Sequence, residues 1–272
     1  MKLEVLISAV NADESFLIKK MNITSDAVLI NQAGRNDAGE MSVKNGKVRV
    51  FSFNERGVGQ SRNRAIENAR GDILLFSDDD IVYDSDYEEK VLKEFENHPE
   101  ADGIFFNVEV NEKRRTYWNE GFKRVGFTNS GRYPAYSIAV RRDKLLETGV
   151  RFSLLFGGGA KYSCGEDSLF IKDLLAAGFE MYKTETKIGK EEERANSEST
   201  WFKGYNEKFF KDRGVLYAFL YGALAESVAA RFIYTKKEVM CNEINPNVAM
   251  KEMRSGIKEG RKLKRQWANE YV

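Results

Sequence analysis

The first half of this chain alternates short apolar, β-branched runs with helix-like segments, and this order constrains the fold more than any other feature. Five runs predict strands: residues 3–10, 27–30, 48–53, 73–76 and 103–110. Helical segments are predicted between them at residues 13–21, 60–69 and 86–97. Strands and helices in alternation predict an α/β domain, with a mostly parallel sheet flanked by helices.

Length and composition exclude several other classes of protein. The chain has 272 residues, 42% of them apolar, and only three prolines, which excludes a disordered or collagen-like chain. The 43 basic residues balance 42 acidic ones, which argues against a nucleic-acid-binding protein. Cys164 and Cys241 lack the spacing of a metal cluster. We therefore expect a reduced, cytoplasmic protein without a disulfide framework or zinc site.

Two features bear on membranes. No targeting segment is expected at the start, and the longest apolar run, 215–225, has about half the length that a membrane-spanning helix needs. We therefore expect a chain that does not cross a membrane. Residues 250–267 combine an apolar stripe with many basic side chains. This pattern predicts either a helix lying on an anionic membrane surface or a helix packed on its own domain.

Polar side chains follow the predicted strands. Asn11 comes after the first strand, Asn31 and Gln32 after the second, and Asp78, Asp79 and Asp80 after the fourth. In sheets of this type, ligands bind beyond the carboxyl ends of the strands. The sequence therefore predicts a cleft lined by amides and carboxylates.

The carboxylates after the fourth strand carry the most chemical information. If the chain stays extended, Asp78 and Asp80 face the same side and Asp79 faces away. Two close carboxylates repel each other, and hard oxygen ligands suit Mg²⁺ or Mn²⁺. The alternative is that the three acids cap a solvated turn.

Further motifs occur in a fixed order around this cluster. Residues 59–66 read Gly-Gln-Ser-Arg-Asn-Arg-Ala-Ile, residues 69–72 read Ala-Arg-Gly-Asp, and Gly159-Ala160-Lys161-Tyr162 precedes Gly165-Glu166-Asp167-Ser168. Together with the Asp-X-Asp at the end of a strand, these motifs resemble the inverting glycosyltransferases of family 2. The resemblance covers roughly residues 1–190 and implies a GT-A fold, a Rossmann-like mixed sheet flanked by helices.

The resemblance implies a role for each matching residue. Asp78 would contact the donor, a nucleotide sugar, and Asp80 would bind a divalent cation, Mn²⁺ or Mg²⁺. Arg62 would lie near the nucleotide. Asp167 would be the general base for the acceptor hydroxyl, with Glu166 beside it. The donor-binding set also includes Asn11, Gln32 and Asp79, and the weaker acceptor candidates are Gly159 and Trp201.

The sequence departs from the family pattern at two places. Many relatives have an acidic residue after the second strand, where this chain has Asn31 and Gln32; an amide can still pair with a base edge, so uridine is the expected base. Many relatives also have a metal-binding histidine downstream of the base, and residues 187–190 contain none. His98 is predicted to be structural or exposed. Asp80 would then be the main protein ligand.

Beyond about residue 200 the composition becomes aromatic and helical. We therefore expect a catalytic domain over 1–200 and a helical, aromatic and basic C-terminal extension over 201–272. The aromatic part could be simple core, could close over the acceptor, or could form a homodimer face. Residues 250–267 could give peripheral contact with the inner face of the cell membrane.

These observations predict a metal-dependent inverting transferase that moves a sugar from a nucleoside-diphosphate sugar to a hydroxyl of a glycan or lipid-linked acceptor, as in bacterial polysaccharide biosynthesis. One alternative is a nucleotidyltransferase on a related fold, although Ser8–Asp13 lacks a glycine-rich phosphate loop. The other is a non-catalytic nucleotide- or carbohydrate-binding protein. A pure binding protein has no use for a base such as Asp167.

Overall fold

The computed structural model describes residues 1–112, 115–192, 204–240 and 242–270, without the side chains of 267–270. The chain divides into two compact units. Unit 1 comprises Met1–Phe152 and Phe170–Ala195, and unit 2 comprises Ser153–Leu169 and Asn196–Val272. Residues 153–169 group with the C-terminal helices, and the predicted boundary near residue 200 stays a prediction.

Unit 1 is built on one mixed sheet of ten strands. The strands are β1 (Leu3–Val10), β2 (Asp26–Gln32), β3 (Asp37–Val43), β4 (Gly46–Phe53), β5 (Ile73–Asp78), β6 (Ile81–Tyr83), β7 (Gly103–Glu109), β8 (Lys123–Val125), β9 (Ile138–Arg141) and β10 (Met181–Glu191). Their order is β3-β4-β2-β1-β5-β9-β7-β10-β6, and β8 pairs with β10. The central run β4-β2-β1-β5 is parallel, as is the pair β7 and β10. β9 is antiparallel to both of its neighbours.

Helices cover both faces of this sheet. They are α1 (Glu14–Lys20), α2 (Val58–Asn68), α3 (Tyr87–Asn97), α4 (Arg142–Thr148) and α5 (Glu166–Ala176). Along β1, Val5 and Ile7 pack in one core together with α1 and α3, while Leu6 packs in the opposite core together with α2. This alternation follows from the two-residue period of a strand. The predicted α/β class, with helices on both faces, is confirmed.

Beyond residue 206, the described residues of unit 2 are mainly helical. Its helices are α6 (Glu207–Tyr221), α7 (Ala225–Met240) and α8 (Pro246–Glu270), with a short 3-10 turn at Gly222–Leu224. α6 and α8 approach closely because glycines lie at their crossing: a Cβ on Gly260 would meet the carbonyl oxygen of Val215 at 2.8 Å. Met253 and Ile257 of α8 are fully buried in this contact.

The apolar stripe predicted within 250–267 is therefore used inside unit 2. A helix that lies on a membrane needs that stripe exposed. The basic side chains of α8, such as Lys251, Arg254 and Lys258, stay exposed. Of the two readings left open by the sequence, packing on its own domain is the one that the structure shows.

The helical stretch Glu207–Met240 is long and apolar enough to cross a membrane by length and composition alone. Its most apolar 18-residue window has a mean hydropathy of 1.3, and 33% of that window is buried. The prediction from residues 215–225 counted a run that ends at the charged Glu226, whereas a window average tolerates that residue. Core helices of soluble proteins meet the same criterion.

Candidate functional site

An ion pair joins two of the predicted site residues in unit 1. Arg62 lies on α2, is 3% exposed, and donates through Nη2 to Oδ1 of Asp78 at 2.9 Å. Its guanidinium also lies over the ring of Phe152, 5.1 Å from the centroid. Asp78 is the last residue of β5, beside Ser8 of β1 in the parallel register. The carboxyl end of β5 and helix α2 thus hold this ion pair. The Asp78 carboxylate is still partly open to solvent, with 35% of its side chain exposed.

Asp79 and Asp80 form a turn between β5 and β6. The expectation that Asp78 and Asp80 share a face in an extended strand is therefore wrong, because the strand ends at Asp78. Asp80 is positioned instead by the end of β10: its carbonyl oxygen accepts from the backbone N–H of Glu192 at 2.7 Å. The turn, rather than strand alternation, sets the direction of the Asp80 carboxylate.

Tyr136 and Glu191, which the sequence analysis did not name as site residues, lie near these carboxylates. Tyr136 belongs to the 3-10 turn Ala135–Ser137, and burial raises the pKa of its phenol. The nearby phenol of Tyr117 and the charges of Glu191, Asp78 and Asp80 raise the pKa of Tyr136 further. The Tyr136 hydroxyl therefore stays protonated at neutral pH and can serve as a hydrogen-bond donor.

A cavity of about 330 Å³ opens at the carboxyl ends of β1 and β2. Asn11 and Ala12 line it from the loop after β1, and residues 33–35 line it from the loop after β2. Asn11 has a left-handed backbone, with φ of 50°. Arg35 pairs with Glu14 at 2.5 Å and with Asp37 at 2.8 Å. The volume lies at the small end of the range for ligand pockets, which begins at about 300 Å³.

Gln32, predicted to contact the nucleotide base, is 2% exposed and pairs with backbone groups. Its Nε2 donates to the carbonyl oxygen of Gly57 at 3.0 Å, and its Oε1 accepts from the N–H of Gly57 at 3.1 Å. These bonds fix the residue before α2, where Gly57 has φ of 126°. Asn31 likewise bonds to both backbone groups of Ala12: its Oδ1 accepts from the N–H, and its Nδ2 donates to the carbonyl oxygen. Base recognition by Gln32 stays a prediction, since it needs a further hydrogen bond from the same side-chain amide that already bonds to Gly57.

The side chains that could serve as ligands of a divalent cation are carboxylates. Within the described residues, no group of three or more His, Cys, Asp or Glu side chains could hold a metal ion. A carboxylate such as Asp80 suits Mg²⁺ or Mn²⁺, which keep water ligands and bind substrate phosphates. The residues therefore fit an ion that completes its ligand shell with substrate and water. His98 stacks on Phe122 with centroids 3.5 Å apart, which agrees with its predicted structural role.

Gly159, a predicted acceptor residue, lies in unit 2 together with Asp167, the predicted general base, and Glu166 beside it. Gly159 has φ of 80° in a tight turn, and Glu166 and Asp167 form the first turn of α5. Both acidic residues are half-buried. Cys164, three residues before Asp167, is a free thiol whose pKa is raised by burial. Trp201 and Cys241 lie outside the described residues.

Comparisons with known proteins agree with this architecture. Residues 33–150 match the model of glycosyl transferase family 2, a segment that includes Arg62, Asp78 and Asp80 but not Asp167. A search of curated proteins found no match.

Solved structures of TarS from S. aureus resemble the chain in fold. TarS 1-349 in complex with UDP-GlcNAc has a TM-score of 0.59 at 14% identity, over 89% of this chain and 74% of that one. The complex of TarS 1-349 with UDP has a TM-score of 0.58 at 12% identity, over 90% of this chain and 76% of that one. A longer TarS structure has a TM-score of 0.56 at 13% identity, over 87% of this chain and 43% of that one. The predicted GT-A fold is confirmed, and the family match supports a glycosyltransferase.

Proposed function

We propose that this protein is a metal-dependent, inverting glycosyltransferase that uses a nucleoside-diphosphate sugar, with UDP as the nucleotide. The acceptor would be a hydroxyl of a glycan or of a lipid-linked glycan, as in bacterial polysaccharide assembly. One observation carries the proposal: the segment that matches the family model contains Arg62, Asp78 and Asp80, and Arg62 is paired with Asp78 at the end of β5, two residues before Asp80.

The donor would bind at the carboxyl ends of β1, β2 and β5. The cavity beside Asn11 and Arg35 would take part of the nucleoside, because its loops offer amide, backbone and guanidinium donors. Asp78 would accept a hydrogen bond from a donor hydroxyl while Arg62 neutralises its charge. The Arg62 guanidinium is buried and bonded to Asp78. It would therefore hold the Asp78 carboxylate in one orientation, while that carboxylate stays partly open to solvent.

The divalent cation would be held by Asp80, with Asp78 and Asp79 nearby. When bound, it supplies a Lewis acid for the negative charge that develops on the diphosphate as the sugar leaves. The protein's own contribution is the turn at 79–80, which the N–H of Glu192 fixes through the Asp80 carbonyl. Tyr136 is available there as a protonated hydrogen-bond donor.

Asp167 would accept the proton of the acceptor hydroxyl as that oxygen attacks the anomeric carbon. The C–O bond to the new acceptor forms while the bond to the nucleoside diphosphate breaks, so a single displacement inverts the anomeric configuration. A general base contributes about 10²- to 10⁴-fold to such a step. Glu166 would tune the charge at Asp167, and Gly159 would lie in the acceptor-binding loop.

The cellular setting is a proposal of the same kind. We propose a cytoplasmic location, with the exposed basic side chains of α8 giving peripheral contact with an anionic membrane. A homodimer through the aromatic helices stays a prediction. The basic face alone gives weaker attachment than an amphipathic helix, because its apolar stripe is buried.

A donor panel tests the proposal directly. Wild-type protein is incubated with UDP-sugars and other nucleotide sugars, with Mn²⁺ or with EDTA, and the released nucleotide is identified. We expect release of a nucleoside diphosphate that requires the cation and is lost in Asp80→Asn. The matched control is Asp86→Asn, which removes an equal charge from an exposed side chain after β6 that pairs with Lys90.

The identity of the products separates the alternatives. A nucleotidyltransferase would exchange pyrophosphate rather than release a nucleoside diphosphate, and a pure binding protein would be stabilised by nucleotide without turnover. Turnover that is unaffected by EDTA and by Asp80→Asn would contradict the metal-dependent mechanism.

A further inference from the structure

The glycine-rich loop, residues 157–165, precedes the two acidic residues of α5 and lies entirely within unit 2. It closes on itself: the N–H of Gly157 donates to the Tyr162 carbonyl at 2.8 Å, and the N–H of Ala160 donates to the Gly157 carbonyl at 3.1 Å. Two short backbone bonds do not fix a loop relative to its surroundings. Side chains from α6 and α8 supply the further contacts.

Asp212 of α6 holds the end of this loop. Its Oδ2 accepts from the backbone N–H of Ser163 at 3.0 Å and from the Ser163 hydroxyl at 3.0 Å. Lys208, one turn earlier on α6, donates to the same oxygen. Asp212 is only 4% exposed. A buried carboxylate is costly unless it is paired and hydrogen-bonded, so this group depends on Ser163 and Lys208 together.

Glu259 of α8 holds the middle of the loop. Its Oε1 accepts from the Tyr162 hydroxyl at 2.6 Å and from Nζ of Lys161 at 3.1 Å. Lys211 of α6 lies 3.2 Å from the other oxygen. The Tyr162 hydrogen bond and the two lysines lower the pKa of Glu259 to about 2, so the carboxylate is ionised across the physiological range.

Gly165 joins the loop to α5. Its φ is +111°, and a Cβ there would collide with the Leu216 side chain of α6. Its carbonyl oxygen accepts from the N–H of Leu169 at 3.0 Å, which forms part of the first turn of α5. The position of the loop therefore determines where Glu166 and Asp167 begin the helix.

We propose that Asp212 and Glu259 are positioning residues, which fix the glycine-rich loop and thereby the N-terminal turn of α5 that carries Asp167. The inference rests on the proposed function, in which Asp167 is the base. It also assigns a task to the C-terminal helices: they hold the loop from which the base projects. Both carboxylates act through the loop.

The kinetic test uses Asp212→Asn and Glu259→Gln in the full-length protein, with Tyr162→Phe as a milder variant that removes one hydrogen bond. A misplacement of about 1 Å can cost about 100-fold in rate. We expect kcat to fall by about 10- to 100-fold in the two carboxamide variants and the KM for the donor to change by less than about twofold. All rates are divided by the nucleotide-binding stoichiometry, so that a smaller folded fraction does not count as slower catalysis.

Glu226→Gln is the matched control. Glu226 of α7 pairs with Arg261 of α8 at 3.1 Å in the same unit, but it is exposed and makes no contact with the glycine-rich loop among its described contacts. We expect wild-type kinetics from this variant. An unchanged kcat in both Asp212→Asn and Glu259→Gln would overturn the positioning role, as would an equal loss in the Glu226→Gln control.

Hydrogen exchange tests the clamp without relying on activity. The Ser163 amide, bound to Asp212, should exchange at least about tenfold faster in Asp212→Asn, and peptides covering 157–169 should lose protection in Glu259→Gln. Unchanged exchange in both variants would overturn the clamp itself. If the wild-type protein transfers no sugar from any donor, the proposed function and the positioning role both fail, while the exchange data still show whether the loop is clamped.

Discussion

The two units of this protein place their candidate residues by different means. In unit 1, Asp78 and Arg62 follow from a buried strand and the helix before it, and their contact spans 16 residues of sequence. In unit 2, the loop before Asp167 is bound by Asp212 and Glu259, which lie 49 and 97 residues from their partners Ser163 and Tyr162. Contacts between residues close in sequence thus position the candidate residues of unit 1. Charged contacts between residues far apart in sequence position those of unit 2.

The largest expected effect concerns the base in unit 2. Asp167→Asn should lower kcat by about 10²- to 10⁴-fold, because an amide cannot accept the acceptor proton. Donor binding should persist, since the donor residues lie in unit 1. The measurement is the transfer rate together with a nucleotide titration. Normal turnover in this variant would remove Asp167 from the mechanism.

The next effect concerns the donor residues of unit 1. Asp78→Asn should weaken the binding of a nucleotide sugar by about 10- to 100-fold, the range expected for one hydrogen bond to a charged group. The effect should appear in Kd, measured by calorimetric titration, more than in kcat. Asp86→Asn serves as the charge-matched control. Equal affinities in all three proteins would show that Asp78 does not contact the donor.

Packing gives a third contrast between the units. Gly256→Ala should destabilise unit 2 by about 1–3 kcal/mol, because the added Cβ would collide with the Lys211 carbonyl oxygen of α6. In an uncrowded helix the same change would raise the free energy of unfolding by about 1 kcal/mol, so the sign of the stability change tells the two cases apart. Gly39→Ala on β3, where no atom lies within 4 Å of the new Cβ, is the control. Thermal or urea unfolding measures both; a more stable Gly256→Ala protein would contradict the close helix crossing.

The smallest expected effect is on acid stability. The pKa of Glu259 is lowered in the folded protein from an ordinary 4.5 to about 2. Its contribution to stability is therefore complete above about pH 5 and is lost as the pH falls towards 2. The difference in Tm between wild type and Glu259→Gln should shrink over this window. A constant difference from pH 6 to pH 3 would show that the clamp carries no charge-dependent stability.

Much of unit 1 could be predicted because its strands are apolar and bounded by polar residues. The run predicted at 3–10 coincides with β1, and the other four predicted strands agree within two residues at each end. β3 was missed, since its seven residues are mostly exposed on the sheet edge, although Asn45-Gly46 is a typical hairpin signal. β10 was missed because its pairing with β7 shifts register twice, so its apolar residues have no regular period.

The candidate site was predictable to the extent that it follows strand ends. Asp78 could be picked out because it follows a buried strand, and Arg62 because the motif at residues 59–66 resembles that of family 2. The turn at Asp80 was one of two alternatives that the sequence left open, because the sequence does not mark where β5 ends. Tyr136 and Glu191 reach the site through β9 and β10 pairings that depend on tertiary structure. Asp212 and Glu259 carry no local signal at all: each looks like an ordinary charged residue on a helix.

Nucleotide binding with and without a cation tests the central claim most directly. UDP is titrated into wild-type, Asp80→Asn and Asp86→Asn proteins, each in Mn²⁺ and in EDTA, and the rise in Tm is recorded. Ligand binding raises stability with the logarithm of the ligand concentration over Kd. We predict a UDP-dependent rise in wild type and Asp86→Asn that needs Mn²⁺ and is lost in Asp80→Asn. A rise that is the same in EDTA, or no rise with any nucleoside diphosphate, would contradict a cation-held donor at the end of β5.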